Sequence, residues 1–446
     1  MARQTKTFSS LRQLHHSSLS LPQGSYIYSL CKNGDDALAV ISSDDSLRRF
    51  DRQTLQLLPD GVIRDTHTSS SGGGVTALCA DVEEDGKGWL LATSGRDGTV
   101  KFWDTRTSQS KSVVTFTSGK SFPLLSLACQ ANTNSLVAGT ELQKTDALVV
   151  FWDIRSHSKP RLEFVESHND DVTELQFHPT RNNVLLSGST DGLVNIYDTT
   201  ITNEDDALLQ VVKHSSIHQA GFLDEKTIYA LSHDEIFSIH PLTSSEEDQD
   251  EEVLRAPSHF GDLRPVLQCE YVAQVLVDRW GTYVAAGSTR LANKPLPCPI
   301  LFQTSLPPPY SVPLSASFLD KFSWLNIEIS FGSQQTLDLV PLSSTPQFHF
   351  DQSKIWKLPG SHGEELVRSV FFDSESQAVY TCGEDGYVRL WKEQGEGEIA
   401  PPAGSSAGME DIVQANIVTS PDITVSSRPT KISKAKTRKQ KGYKPY

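Results

Sequence analysis

The stretch SGRDGTVKFWDTR, Ser94 to Arg106, decides the fold. Arg96-Asp97-Gly98 is a turn signal, because Asp and Gly tolerate the positive φ that tight hairpins need. The run TVKFWD that follows alternates between apolar and polar residues, which is the period of a strand with two different faces. Before the turn, VTALCADV (Val75 to Val82) alternates and WLLATSG (Trp89 to Gly95) is a short apolar run. The unit therefore reads strand, strand, tight turn, strand.

The plan recurs in DALVVFWDIR (Asp146 to Arg155), STDGLVNIYD (Ser189 to Asp198) and GEDGYVRLW (Gly383 to Trp391). An Asp stands six residues before the final aromatic each time: Asp97 and Trp103, Asp146 and Trp152, Asp191 and Tyr197, Asp385 and Trp391. The aromatics at 103, 152 and 197 are 49 and 45 residues apart. SSDDSLRRFD fits earlier, with Asp44 and Phe50 in the two places, and HDEIFSIH fits loosely with Asp234. A small antiparallel sheet cannot bury both faces alone; stacking several around an axis solves this and leaves only short edges.

The spacing and the Trp-Asp ending resemble the WD-repeat β-propeller family over most of residues 24–392. Counting units predicts an all-β, seven-bladed propeller, its blades ending near Asp51, Asp104, Asp153, Asp198, His240, Val340 and Lys392. SHNDDVTELQFHPTRNNVLLSGSTDGLVNIYD, ALSHDEIFSIHPL and HGEELVRSVFFDSESQAVYTCGEDGYVRLWK resemble one branch, that of WD repeat-containing protein 89 and its fungal relatives. The resemblance implies that the turn Asp of a blade bonds a His from the preceding loop, which reaches a strand Ser or Thr and the aromatic. His168 is expected to serve Asp191 and Tyr197, and His362 to serve Asp385 and Trp391. The units ending at Trp103 and Trp152 show no obvious His, with SSSGGGV before the first, so both are expected to lack the complete network. The residues Asp97, Trp103, Asp146, Trp152, His168, Asp191, Tyr197, His362, Asp385 and Trp391 are thus read as bracing, not as chemistry.

The chain has 446 residues, 37% of them hydrophobic, with 28 Gly, 23 Pro and only 2 Met. That is ample for a large core and fits a turn-rich β protein. Six scattered Cys (31, 79, 129, 269, 298, 382) form no Cys-x-x-Cys pair, and there is no glycosylation sequon. With no apolar leader and no membrane-length apolar run, an intracellular, reducing compartment is expected, with no membrane partner. From Arg428 to Tyr446 there are eight Lys or Arg and no acid; with those eight removed, the net charge of −15 becomes −23.

The expected division is a flexible N-terminus over 1–19, the propeller over 20–395, and a disordered linker with a basic tail over 396–446. Residues 290–325 form an irregular Pro-rich stretch in the sixth blade. It reads either as an insertion or as translated non-coding sequence.

Catalytic motifs are poor. Gly119-Lys120-Ser121 imitates the end of a phosphate loop, but Val114 stands where its leading Gly belongs. Ser189 is misplaced for a nucleophile elbow. His214 and His218 are four apart, a metal spacing on a helix but not in β-rich sequence. No enzyme activity, cofactor, metal or small-molecule substrate is expected, and other proteins are the expected partners. Arg106 and Arg155 end Trp-Asp-x-Arg boxes, which resemble the docking box of substrate receptors for cullin-type ubiquitin ligases. Pro307, Pro308 and Tyr310 belong to PPPY, a ligand pattern for WW domains. Lys434, Lys436, Arg438, Lys439 and Lys441 read as a nuclear or nucleolar address, or as an electrostatic hold on RNA. The acidic run Ser244 to Glu252 reads as a solvated loop.

Overall fold

A computed structural model describes residues 9–67, 74–81, 90–106, 111–156, 159–243, 256–278, 281–289, 335–345 and 347–393. Within them the chain forms five separate four-stranded sheets and one nine-stranded sheet in which two further four-stranded units are joined, the ninth strand being the short His349–Phe350. Each four-stranded unit is an antiparallel meander, or blade. Their innermost strands are Ile27–Asn33, Val75–Asp81, Leu124–Gln130, Val172–Phe177, Ile217–Asp224, Tyr271–Asp278 and Val367–Asp373. We number the blades 1 to 7 in this order. Each innermost strand packs on the next, and Val367–Asp373 packs back on Ile27–Asn33, so the set closes on itself.

Alternation along the strands explains this arrangement. In blade 2, Leu91 and Trp103 turn toward blade 1, while Ala92 and Phe102 turn toward blade 3. Both faces are apolar, so the middle strands are near-continuously buried and each seam between blades is a core of its own. Seven apolar clusters result, one at each of the seven seams. The cluster between blades 7 and 1 joins Tyr380, Cys382 and Leu390 to Ile27, Val40 and Phe50. Each fully buried side chain of Leu or Phe size stabilises by roughly 1.5–3 kcal/mol.

The N-terminus corrects the sequence reading. Ser9–Ser17, placed within a flexible segment over 1–19, is a strand. It lies antiparallel to Val388–Glu393 as the outer strand of blade 7, with Leu11 opposite Glu393 and Ser17 opposite Val388. It also touches the outer strand of blade 6 in parallel, Ser9 opposite Trp356, which merges the two blades. Leu11 is buried in the seam between blades 6 and 7. A lone strand whose partner lies at the far end of the chain carries no local turn signal, so only the closed ring reveals it.

The third strand of blade 6 is Thr336–Ser343, which pairs with Gly281–Ser288 from Ser288 opposite Thr336 to Thr282 opposite Leu342, and Trp356–Pro359 follows as the outer strand. The Pro-rich stretch lies outside the described residues, as do Pro307, Pro308 and Tyr310, the acidic run, and the tail with Lys434, Lys436, Arg438, Lys439 and Lys441.

Candidate functional site

Three blades carry a continuous polar chain across their buried middle. In blade 4, Asp191 Oδ2 accepts from His168 Nδ1 at 3.1 Å, and His168 Nε2 accepts from Ser187 Oγ at 2.7 Å. The Tyr197 hydroxyl sits 3.4 Å from Ser187 Oγ and accepts from Asn195 Nδ2 at 3.0 Å. In blade 7, His362 joins Asp385 at 2.7 Å and Thr381 at 2.8 Å, and Trp391 Nε1 donates to Thr381 at 3.0 Å. Arg389 adds an ion pair to Asp385 at 2.6 Å.

The third chain was not anticipated. His67 Nδ1 donates to Asp97 at 3.0 Å, its Nε2 accepts from Thr93 at 2.8 Å, and Trp103 Nε1 donates to Thr93 at 2.9 Å. Blade 2 therefore has a complete network, contrary to expectation. Its His stands eight residues before the inner strand, at RDTHTSSSGGGV, where His168 stands four before its own. The longer loop hid the match. Asp45 fixes this displaced His by accepting the N–H of His67 at 3.1 Å and of Val75 at 3.0 Å.

In blades 2 and 4 the carboxylate can only accept, so a neutral ring donates from Nδ1 and accepts at Nε2; in blade 7 the Arg389 guanidinium also lies 2.7 Å from His362 Nδ1. The tautomer in blades 2 and 4 is fixed by the partners. Burial would raise the carboxyls of Asp97, Asp191 and Asp385. Hydrogen bonds, those from the His rings first, outweigh it and leave all three below the ordinary Asp value. Burial is the main force pushing His362 below its ordinary value. A hydrogen-bonded network of this kind holds one geometry; in blade 4 the Asn195 Oδ1 is buried beside it without a partner.

Blade 3 departs, as the missing His implies. Asp146 takes no part in a His network; its side chain is 40% exposed and lies 3.8 Å from Lys120. Trp152 Nε1 donates to Thr117 O at 3.4 Å instead. Blade 1 replaces His with Arg48, which is wholly buried. It pairs with Asp44 at 2.6 Å, reaches Ser46 Oγ at 3.0 Å and donates to Leu19 O at 2.9 Å.

Arg106 and Arg155 leave the ends of the third strands of blades 2 and 3. Their side chains are 55% and 69% exposed. Each is clamped by the Asp of its own box: Arg106 Nε and Nη2 donate to Asp104 at 3.0 and 2.9 Å, and Arg155 repeats this on Asp153 at 3.0 and 2.7 Å. Hydrogen bonds from Arg155 carry Asp153 down to about 2. Sequence reading missed a third clamp, Arg264 on Asp262 at 3.0 and 2.9 Å, which no Trp precedes. The clamp is thus a property of Asp-x-Arg itself.

His214 and His218 do not share a site. The His218 ring stacks on His233 at 5.3 Å, while a second pair, His240 and His259, stands 5.6 Å apart. Among the described residues no group of three or more His, Cys, Asp or Glu is disposed to hold a metal ion, and no helix is long and apolar enough to cross a membrane.

The family model for the WD domain, G-beta repeat, matches residues 62–104, 159–198 and 352–392. These are the three segments that end in the complete networks of blades 2, 4 and 7. An uncharacterized WD repeat-containing protein of Saccharomyces cerevisiae is 33% identical over 306 residues, 68% of this chain and 64% of that protein. The chain therefore spans less than two thirds of that relative. A similar Schizosaccharomyces pombe protein is 30% identical over 68% of this chain and 79% of its own length. The WD repeat-containing protein 89 homolog of Dictyostelium discoideum is 30% identical over 42% of this chain and 47% of its own length.

Proposed function

This chain belongs to the WD-repeat family, and we propose that it works as a non-catalytic scaffold that binds other proteins in the nucleus or nucleolus. One observation carries the reading: the Asp, His, Ser and Thr groups that an enzyme would need are engaged in bracing the blades. Loops joining the strands of braced blades are where such scaffolds bind partners. The basic segment Lys434 to Lys441 supports a nuclear address by its charge and by its lack of apolar periodicity. Microscopy of a fluorescent fusion truncated before Ser426 tests the address; unchanged distribution refutes it.

A second reading is favoured by the repetition of one exposed Arg on consecutive blades. Arg106 and Arg155 follow the same strand in blades 2 and 3 with the same clamp. This suits docking to a ubiquitin-ligase adaptor, with the clamp presenting a preset guanidinium for a charge-assisted contact. Affinity purification of the Arg106→Ala/Arg155→Ala variant tests it. Loss of a ligase adaptor from the co-purifying proteins supports docking, and an unchanged partner set removes it.

A further inference from the structure

Every blade of a ring ends in an outer strand whose far edge is a template for another strand, and natural edges are usually blunted. Most outer edges here are. The outer strand of blade 1, Leu57–Ile63, contains Pro59, Asp60 and Gly61. That of blade 2, Val114–Thr117, is four residues long. In blade 3, Glu204 accepts the N–H groups of Val165 at 2.8 Å and Glu166 at 2.9 Å, covering the edge where the outer strand bulges. Blade 5 ends in a short strand broken by Gly261, and the outer strands of blades 6 and 7 pair with each other.

Blade 4 is the exception. Its outer strand, Leu208–Lys213, reads LLQVVK, bulges once at Leu209, runs in regular register from Gln210 to Lys213, and pairs on one side only. Leu208, Leu209 and Val211 are 36%, 46% and 43% exposed; among the described residues no other strand exposes more than one large apolar side chain. Val212 faces the seam with blade 5, and Gln210 bonds Pro241 O at 3.0 Å on that side. Val211 and Lys213 therefore lie on the opposite face of the strand, away from that seam, with the bulged Leu209 exposed beside them. His214 donates its N–H to Gly192 O at 2.7 Å, which leaves the main-chain groups of Val211 and Lys213 pointing away from the blade.

The strand is also charged in a way that complements itself. The helical turn Glu204–Ala207 just before it brings Asp205 and Asp206, both exposed, while Lys213 ends it. We propose that this edge pairs with the same edge of a second copy of the chain, antiparallel about a two-fold axis at Gln210. That register sets Leu209 against Val211 twice. It also carries each Lys213 to the acidic turn of the other copy, so that apolar burial and charge both favour the symmetric pair. A basic or neutral strand from another protein would meet only half of this complementarity.

Light scattering after size exclusion of the full chain tests it. The wild type is expected at about twice the mass of one chain, and Val211→Lys, at an exposed position, at the mass of a single chain with an unchanged circular dichroism spectrum. Lys213→Glu is expected to weaken the pair and Lys213→Glu/Asp205→Lys to restore it, which reads the register without touching an apolar residue. A monomeric wild type at high concentration overturns the proposal, as does a dimer that both Val211→Lys and Lys213→Glu leave intact. If Val211→Lys misfolds, the charge-reversal pair decides alone.

Discussion

Gly95 leaves room for His67: a Cβ there would lie 2.3 Å from the ring's Cγ, and Gly383 is crowded in the same way by Leu366 O at 2.3 Å. Small residues before the turn and an Asp within it are thus parts of one device, in which Asp, His and the strand hydroxyl are partnered. Removing one partner strands the others in a buried place. Asp191 accepts from His168, Asn169 and Leu193. Asp191→Ala is expected to cost about 2–3 kcal/mol in urea unfolding. Asp146→Ala, at the same repeat position without a His, is expected to cost under about 0.5 kcal/mol. Equal costs would show that the networks do not brace the blades.

Glu235 stands where other blades have the turn Gly, with φ of 60° against 75° at Gly98 and 85° at Gly192. One of its carboxylate oxygens is buried without a partner, and burial pushes the group up to about 7. A carboxyl raised in the fold stabilises in its neutral form. Its contribution is complete below the ordinary value of 4.5 and is lost as pH rises through about 7. Glu235→Gln is therefore expected to leave stability unchanged near pH 4 and to raise it by about 1–3 kcal/mol at pH 8. Melting curves across this range check the sign; a variant less stable at pH 8 contradicts it.

At the scale of elements, the ring depends on two pieces that no repeat announces: the strand Ser9–Ser17 and Arg48. Arg48 holds Leu19 O at 2.9 Å and Ser20 O at 3.4 Å, where the chain turns from the closing strand into blade 1. Leu19 and Ser20 both have positive φ, 49° and 55°, so this turn is strained and needs an anchor. Arg48→Ala leaves two carbonyls without their cation and Asp44 with only the exposed Arg64, 3.9 Å away. The expected cost is about 3–5 kcal/mol, read by chemical denaturation; a loss under 1 kcal/mol, the size of a surface pair, would mean that the turn holds itself.

These pieces mark where sequence stops being legible. The blades with Asp-Gly turns declare themselves, because turn chemistry and alternation are local. Blade 6 could be completed from TLDLVPL because its strands keep their alternation across the gap in rhythm. His67 was overlooked because its loop is longer, and Arg48 because no local pattern shows that an Arg four residues after Asp44 is buried and stands in for a His. The three clamps of Arg106, Arg155 and Arg264 needed coordinates, since an Asp-x-Arg pair in sequence shows neither exposure nor partner.

At the scale of the molecule, the seams explain why the chain folds as one ring. Each blade gives apolar residues to both neighbours, so a blade at an open end would leave a face of core residues in water. The ring is closed within blade 7, where strands from its two ends meet in one sheet. The measurement that reaches this most directly is a cross-link between them. Arg12 lies opposite Lys392 in the shared ladder, and such antiparallel partners stand within the reach of a disulfide. In an Arg12→Cys/Lys392→Cys variant, mild oxidation followed by peptide mass spectrometry is expected to find the two ends joined within one chain. Oxidation that leaves the pair reduced, or joins it only between chains, would contradict the closed ring.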